Sequence, residues 1–311
     1  MKIIEFDQFG GPDVLHAVDR PEPVARDGQV LVRVEARSVN APDAGIREGL
    51  FADWTPQRTF PIVLGADFAG TVLRDSAAFA AGQRVLGILP WFTDQDGRGS
   101  YAEILAAESD WLAPLPAGLD AAAATTIPLN GLTAFQAAGL LHLTPGDTVL
   151  VTGASGTVGG FAVQAAAATG ATVYAIGSDG DGEYVSALGA RDLVRRGTPD
   201  EIVSGVRERL PEGADAVLDA APVGPGIIGA ARDGGRFVTV LAPLAPQPER
   251  GITVDTFSVA LDPKRLADLA VQAADGTLST RVAARLPLAE AAAAHRLLAA
   301  GTAGFGRIVL L

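Results

Sequence analysis

Three glycines, Gly153, Gly156 and Gly159, punctuate the stretch "VLVTGASGTVGGFAVQ" at residues 149–164. A β-branched run leads into them and an alanine-rich segment follows, which places them at the turn between a buried strand and a helix. At such a turn each glycine has a use: a tight exit from the strand, close backbone approach to a pyrophosphate, and close helix–strand contact. The following helix would aim its positive N-terminus at the same phosphates. Gly153, Ala154, Ser155, Gly156, Thr157, Val158 and Gly159 therefore form a candidate phosphate cradle for a dinucleotide. Their spacing is G-x-x-G-x-x-G rather than G-x-G-x-x-G, so the flanking strand and helix carry as much weight as the glycines.

Other chemistry is limited by what is missing. The chain has no cysteine, which excludes disulfides, thiolate zinc sites, iron–sulfur clusters and a cysteine nucleophile. His16, His142 and His295 form no pair at ligand spacing and read as surface, helix-end and helix-face residues. Short-chain dehydrogenases open with a similar glycine pattern but need a downstream Tyr-x-x-x-Lys pair. Four residues after Tyr101, Tyr174 and Tyr184 stand Leu105, Ser178 and Leu188, so that catalytic pair is absent.

The elements that must position the cradle follow from periodicity. "VLVRVEARSV" (residues 30–39) alternates like a half-buried strand, and "FAGTVL" and "QRVLGIL" read as further short strands between Gly, Pro and Asp turns. From about Leu119 the pattern changes to strand–helix alternation: "TVLVTG", a helix over 158–169, "ATVYAIG", a helix near 182–188, "RDLVR", a helix near 200–210, "DAVLDA" and "GRFVTVL". Alternation at that spacing predicts a doubly wound parallel sheet. A helix from Pro263, the strand-like "STRVAARLPL", an alanine-rich helix through Leu298 and a last strand "GRIVLL" complete the chain.

A length of 311 residues with 48% hydrophobic composition favours two domains. The net charge of −12 argues against nucleic acid or an anionic membrane surface as partner. No basic-then-apolar leader or spanning apolar run is evident, so the expected location is cytoplasmic.

With these segments in order, the chain resembles the zinc-independent quinone oxidoreductase branch of the medium-chain dehydrogenase/reductase superfamily. The resemblance is carried by "FGGPDVL", "VLVRVEARSVNAPDAGIREG", "FPIVLGADFAGTV", "GQRVLG", "GSYAEI", "IPLNGLTAFQA", "PGDTVLVTGASGTVGGFAVQAAAATGA", "LGARDLV", "ADAVLDA", "DGGRFV" and "GFGRIVLL". It implies an α/β protein: a GroES-like, partly β-barrel catalytic domain at 1–120 and 257–311, and a Rossmann domain at 121–256. It implies no metal, because the segment that holds a zinc-binding histidine in zinc-dependent relatives reads Gly-Ala66-Asp67 here, and Asn40 and Asp43 occupy the region of the cysteine ligand. Without a Lewis acid, the chemistry implied is hydride delivery to an already electrophilic carbon of a quinone or an α,β-unsaturated carbonyl. A homodimer built through the cofactor domain is implied by family habit.

The resemblance also implies site residues. Asn40 falls where the family has an Asn facing the nicotinamide and substrate, and as an amide it could donate to a carbonyl oxygen. Asp43 beside it serves the reaction, orients the loop or pairs with Arg47. Phe51 replaces a tyrosine near the substrate in many relatives, which leaves the final proton to solvent; Trp54, Trp91 and Phe92 are aromatic candidates for the same pocket. Thr126 and Asn130 match positions that cradle the nicotinamide, and Ala220, Ala221, Leu241, Ala242 and Ser258 match cofactor contacts at strand ends.

At the end of the second cofactor-domain strand, Gly177 and Ser178 stand where an NAD enzyme carries an acid. That favours NADPH, with Ser178 matching a serine of NADPH-using relatives and Arg195 and Arg196 suited to a 2′-phosphate. Asp179 and Asp181 would oppose it if they faced the phosphate. Two alternatives stay open: an enoyl-thioester or polyketide-tailoring reductase of the same fold, and a nucleotide-binding protein without turnover.

Overall fold

Strand β1 (Lys2–Phe6) pairs antiparallel with β2 (His16–Asp19) in a small sheet. Strand β3 (Gln29–Val39) is the alternating run expected there, and one face of it, Val30, Val32 and Val34, is buried. Helix α1 (Ala41–Glu48) follows without a loop, and β4 (Ile62–Val63) returns to β1. Strands β5 (Asp67–Val72), β6 (Arg84–Ile88), β7 (Ile104–Glu108) and β8 (Leu112–Pro114) build a larger sheet around β3. Phe68, Val72, Val85, Leu105 and Leu112 close its core against the β3 valines. Short helix α2 (Ala121–Ala124) and helix α3 (Pro128–Leu140) lead out of it.

The alternating half forms a six-stranded parallel sheet. Its members are β9 (Thr148–Val151), β10 (Thr172–Gly177), β11 (Ala190–Arg195), β12 (Ala214–Asp219), β13 (Ala231–Thr239) and β14 (Thr253–Thr256). Helices α4 (Thr157–Ala167), α5 (Gly182–Ala187) and α6 (Pro199–Arg209) connect the first four. The strand order is β11-β10-β9-β12-β13-β14, which counted within this half is 3-2-1-4-5-6, the dinucleotide-binding order. The sheet's topological switch point lies between β9 and β12. Leu150, Ile176, Val217 and Phe237 from its strands bury one face against Ile202 and Val206 of α6.

The chain then gives α7 (Pro263–Asp275), β15 (Val282–Leu286), α8 (Ala291–Ala300) and β16 (Arg307–Leu310). Strand β16 pairs antiparallel with the end of β3, placing Val309 beside Ser38, and β15 pairs parallel with β16. Two compact units result: Met1–Leu129 with Leu261–Leu311, and Asn130–Ala260. The expected limits were 120/121 and 256/257. Helix α2 belongs with the first unit because Ala122 packs with Ala36 of β3 and Val309 of β16. The computed structural model describes residues 1–53, 59–90, 98–221, 223–240 and 242–311. Among these, no helix is long and apolar enough to cross a membrane.

Candidate functional site

In the first unit, β3 ends at Val39 and Asn40 starts α1, so strand and helix meet at one residue. Pro42 suits a first helical turn, which needs no N–H there, and Asp43 completes the cap. The Asp43 carboxylate accepts the Asn40 backbone N–H at 2.7 Å and the Gly65 N–H at 3.2 Å. Gly65 sits at φ +101°, a conformation that favours glycine. Asp43 thus ties the α1 start to the turn before β5, which is the loop-orienting role rather than a pairing with Arg47.

Asp67 opens β5 and lies beneath Asn40, fully buried. Its Oδ2 accepts the Ser38 hydroxyl and, at 2.7 Å, the Asn40 side-chain amide; its Oδ1 accepts the Leu129 N–H at 2.6 Å. The Asn40 Nδ2 also donates to Ser38 Oγ at 3.0 Å. The Asn40 amide nitrogen therefore faces Ser38 Oγ and Asp67 Oδ2, which are hydrogen-bonded to each other. Burial raises the pKa of both carboxyls, Asp43 to about 7, while hydrogen bonds and the nearby Arg307 guanidinium pull the other way. Arg307, on β16, donates to the Val39 carbonyl at 3.2 Å.

A second buried group lies in the same unit. Arg47 of α1 donates to the Gly10 carbonyl at 3.0 Å, pairs with Glu48, and approaches His295 Nδ1 at 2.7 Å. His295 Nε2 stands 3.1 Å from the Tyr101 hydroxyl, with the rings edge to face. Arg47 has only donors, so Nδ1 accepts and Nε2 carries the proton. Burial, then the Arg47 charge, lower the His295 pKa to about 3. The helix-face histidine of the sequence is thus a fully buried neutral link between α1 and α8. His16 is exposed, beside Asp7 at 3.4 Å, and His142 follows α3 at φ +46°.

In the second unit the cradle has the geometry its glycines imply. Gly153 leaves β9 at φ +59°, where a side chain is strained and a Cβ would lie 2.8 Å from Ala221 Cβ. Gly156 caps α4, and a Cβ on Gly159 would overlap the Gly153 carbonyl. The first turn of α4 therefore folds back onto the strand exit and leaves room for a pyrophosphate over its N–H groups. The residues present fit a dinucleotide.

Beside the cradle, the Thr152 hydroxyl donates to Asp219 Oδ1 at 2.7 Å and accepts the Ala220 and Ala221 N–H groups at 2.9 and 3.1 Å. Thr239 donates to the other Asp219 oxygen at 3.2 Å. One carboxylate thus fastens the ends of β9, β12 and β13 at the switch point, and burial raises its pKa. Thr152 and Asp219 were not singled out in the sequence.

At the end of β10, Asp181 turns back to accept the Ser178 N–H at 2.7 Å, so its carboxylate is spent on the local cap. Asp179 lies 3.7 Å from Arg195 Nε, both exposed, and the Arg196 N–H bonds the Gly177 carbonyl at 2.7 Å. The two acids that could oppose a phosphate are thus a backbone cap and an ion-pair partner.

The remaining expected residues are placed as follows. Thr126 is buried and its hydroxyl bonds the Ala123 carbonyl at 2.8 Å. Asn130 is buried in α3. Ala242 and Ser258 are exposed, and Phe51 lies over Gly45 of α1. Phe60 packs edge to face on Phe6 and Phe9. Trp54, Trp91, Phe92 and Leu241 lie outside the described residues.

At the segment that would hold a catalytic zinc in zinc-dependent relatives, the residues present do not fit the metal. Ala66 offers no ligand atom, the chain has no cysteine, and Asp67 is engaged by Ser38, Asn40 and Leu129. Among the described residues, one histidine–carboxylate cluster, Glu5, Asp7 and His16, has ligand atoms within 4.8 Å of one another. Glu5 there is held by Arg20 at 2.5 Å.

Comparison with known proteins agrees with this architecture. Residues 26–117 match the alcohol dehydrogenase GroES-like domain and residues 188–310 the zinc-binding dehydrogenase family. The chain is 33% identical to a chloroplast envelope quinone oxidoreductase homolog of Arabidopsis thaliana, over 71% of this chain and 68% of that one. It is 38% identical to the acrylyl-CoA reductase of Ruegeria pomeroyi, over 59% and 55%. A mycobacterial structure solved in complex with NADPH covers all of both chains with a TM-score of 0.83 at 27% identity.

Proposed function

Since this chain belongs to the quinone oxidoreductase branch of the medium-chain dehydrogenase/reductase superfamily, we propose that it is an NADPH-dependent, metal-free reductase of quinones or α,β-unsaturated carbonyl compounds. The observation that carries the reading is the cradle at the end of β9, where Gly153 and Gly159 leave room that side chains would fill. When bound, a reduced nicotinamide supplies hydride. The residues of the chain bind, orient and exclude water. Gly153, Ala154, Ser155, Gly156, Thr157, Val158 and Gly159 take the phosphates. Ser178, Arg195 and Arg196 take the 2′-phosphate, and Ala220, Ala221, Ala242 and Ser258 line the cofactor along the strand ends. Thr126, Asn130 and Asn40 hold the nicotinamide end, with Asp43 fixing the Asn40 backbone.

Phe51 contributes to the apolar wall for a planar substrate. With phenylalanine at 51 and no ligand set for zinc, the substrate must already be electrophilic, and its last proton comes from water. Homodimerisation through residues 237–256 belongs to the same proposal and is supported by the exposed edge strand β14. Light scattering on the purified chain tests it.

The likeness to an acrylyl-CoA reductase favours a second reading, reduction of an enoyl thioester by the same hydride chemistry. One experiment separates the possibilities: NADPH oxidation with 1,4-benzoquinone, 9,10-phenanthrenequinone, a simple enone and crotonyl-CoA, with NADH in parallel. Quinone or enone turnover supports the proposal, and selective crotonyl-CoA turnover favours the second reading. Tight NADPH binding with no turnover would leave a nucleotide-binding protein.

A further inference from the structure

In an antiparallel ladder a residue with extended backbone turns its N–H and its C=O to the same side, and one partner residue exchanges both bonds with it. Ala260 has such a partner in a side chain. Its N–H donates to Gln136 Oε1 at 3.0 Å, and Gln136 Nε2 donates to its carbonyl at 3.1 Å. The amide fits in this orientation alone, since the reverse would set acceptor against acceptor and donor against donor. Both residues belong to the second unit, 124 residues apart in sequence.

The two ends of this link differ in kind. Gln136 stands on α3, where Leu132, Ala134, Ala137 and Ala138 are buried, so packing fixes its backbone. Ala260 is exposed and belongs to neither helix nor strand. Register explains why its place matters. Asp219, Thr239 and Thr256 stand side by side on β12, β13 and β14, so the residues after them leave the parallel sheet at one edge. At that carboxyl edge, a Cβ on Gly153 of the cradle would lie 2.8 Å from Ala221 Cβ, just after β12. The Phe257 N–H bonds the Thr239 carbonyl at 2.9 Å and carries the ladder one residue past β14. Ser258, Val259 and Ala260 then leave the sheet, and Gln136 takes hold of the chain.

We propose that Gln136 is a positioning residue for the nicotinamide half of the cofactor: by holding Ala260 it sets where Ser258, two residues earlier, stands at the carboxyl edge. This rests on the functional reading that lines the cofactor with Ser258. A doubly wound sheet binds one half of a dinucleotide on each side of its switch point. Strand β14 lies across the switch point from β10 and β11, at whose ends Ser178 and Arg195 stand. The influence of Gln136 therefore falls on the nicotinamide half and spares the adenosine half.

The control is indirect, since Gln136 acts only through the backbone that it holds. At an exposed residue both hydrogen bonds compete with water, so their loss acts on the segment 257–260 more than on the fold.

The test compares the unmodified protein with Gln136→Ala and with Gln136→Met, which keeps the length of the side chain and removes both hydrogen-bonding groups. Two probes are titrated: NADPH, read by nicotinamide fluorescence, and adenosine 2′,5′-bisphosphate, which carries the adenosine half alone, read by calorimetry. In both variants NADPH affinity is expected to fall about tenfold, the contribution of one hydrogen bond, with bisphosphate affinity unchanged. General loosening of the unit would weaken both probes alike. Amide exchange in the unmodified protein adds a check that needs no variant: NADPH should slow exchange over 257–260. Equal losses for the two probes, or no loss for either, overturn the proposal. So does exchange over 257–260 that NADPH leaves unchanged, whether or not the variants fold. If the unmodified protein binds neither NADPH nor NADH, the functional reading fails first, and this inference with it.

Discussion

His295 on α8 accepts a hydrogen bond from Arg47 on α1 at 2.7 Å, across 248 residues of sequence. A neutral imidazole is thereby built into the core of the first unit, where a protonated one would face a buried guanidinium.

The first prediction concerns acid. With a pKa lowered to about 3 in the folded state, His295 contributes stability that is fully present above the ordinary histidine value and is lost as pH falls from about 6.5 toward 3. The slope of this contribution is about 1.4 kcal/mol per pH unit at most. Urea midpoints of the unmodified protein and of His295→Gln, measured from pH 7 to 4, should converge as pH falls. Parallel curves would show that the imidazole is not titrating against the fold.

Asp43 acts in the opposite direction. Its pKa is raised to about 7, so its contribution is complete below about 4 and is lost as pH rises through 7. The two trends oppose each other between pH 4 and 6.5. Removing the titrating carboxyl in Asp43→Asn should make stability rise with pH, relative to the unmodified protein, over that range, with a difference in slope of at most about 1.4 kcal/mol per pH unit. Parallel profiles of variant and unmodified protein contradict the assignment.

Thr152→Val keeps the shape and removes the hydroxyl. It strands the Ala220 and Ala221 N–H groups and takes a donor from a buried carboxylate. A loss of about 2–4 kcal/mol is expected, read from denaturant unfolding, with weaker NADPH binding because the switch-point turn loosens. Unchanged stability would mean that Asp219 is satisfied by other means.

Cofactor choice turns on Arg195 and Arg196. Replacing either by alanine should weaken NADPH about tenfold and NADH little. Asp179→Asn, which releases Arg195 from an exposed ion pair, should tighten NADPH by no more than a few fold, since such pairs are worth about 0–1 kcal/mol. Titration of both cofactors against all three variants checks this, and equal losses for NADPH and NADH would remove the arginines from 2′-phosphate recognition.

Gly159→Ala should cost about 1–3 kcal/mol and abolish tight cofactor binding, because its methyl group would overlap the Gly153 carbonyl. Thermal unfolding with and without NADPH should show a lower midpoint and no cofactor-dependent gain; a preserved gain would show that the cradle tolerates the intrusion.

How much of this was legible depends on distance along the chain. The β9 turn and its glycines, the alternation of β3 and the strand–helix repeats are local patterns, and the structure contains them. Helix α1 was missed as an element although Asn40, Pro42 and Asp43 spell a capped start; the following segment is short and its apolar pattern slight. The Thr152–Asp219 link spans 67 residues and the Tyr101–His295 contact 194, and no local pattern reports such pairs. The contact of Asn40 with Asp67 is hidden for the same reason, since Asp67 is brought in by the pairing of β3 with β5.

The position of β16 against the end of β3 has a consequence for synthesis. Ser38 and Val39 gain their flanking strand, and Arg47 its histidine, only from residues made after all of Asn130–Ala260. At about 5–20 residues per second, the residues between β3 and β16 take some tens of seconds to make, and that edge of β3 stays unpaired until then. The region around Asn40 therefore gains these partners only after β16 and α8 have been made, and until then its open edge is exposed to misassembly or chaperone capture.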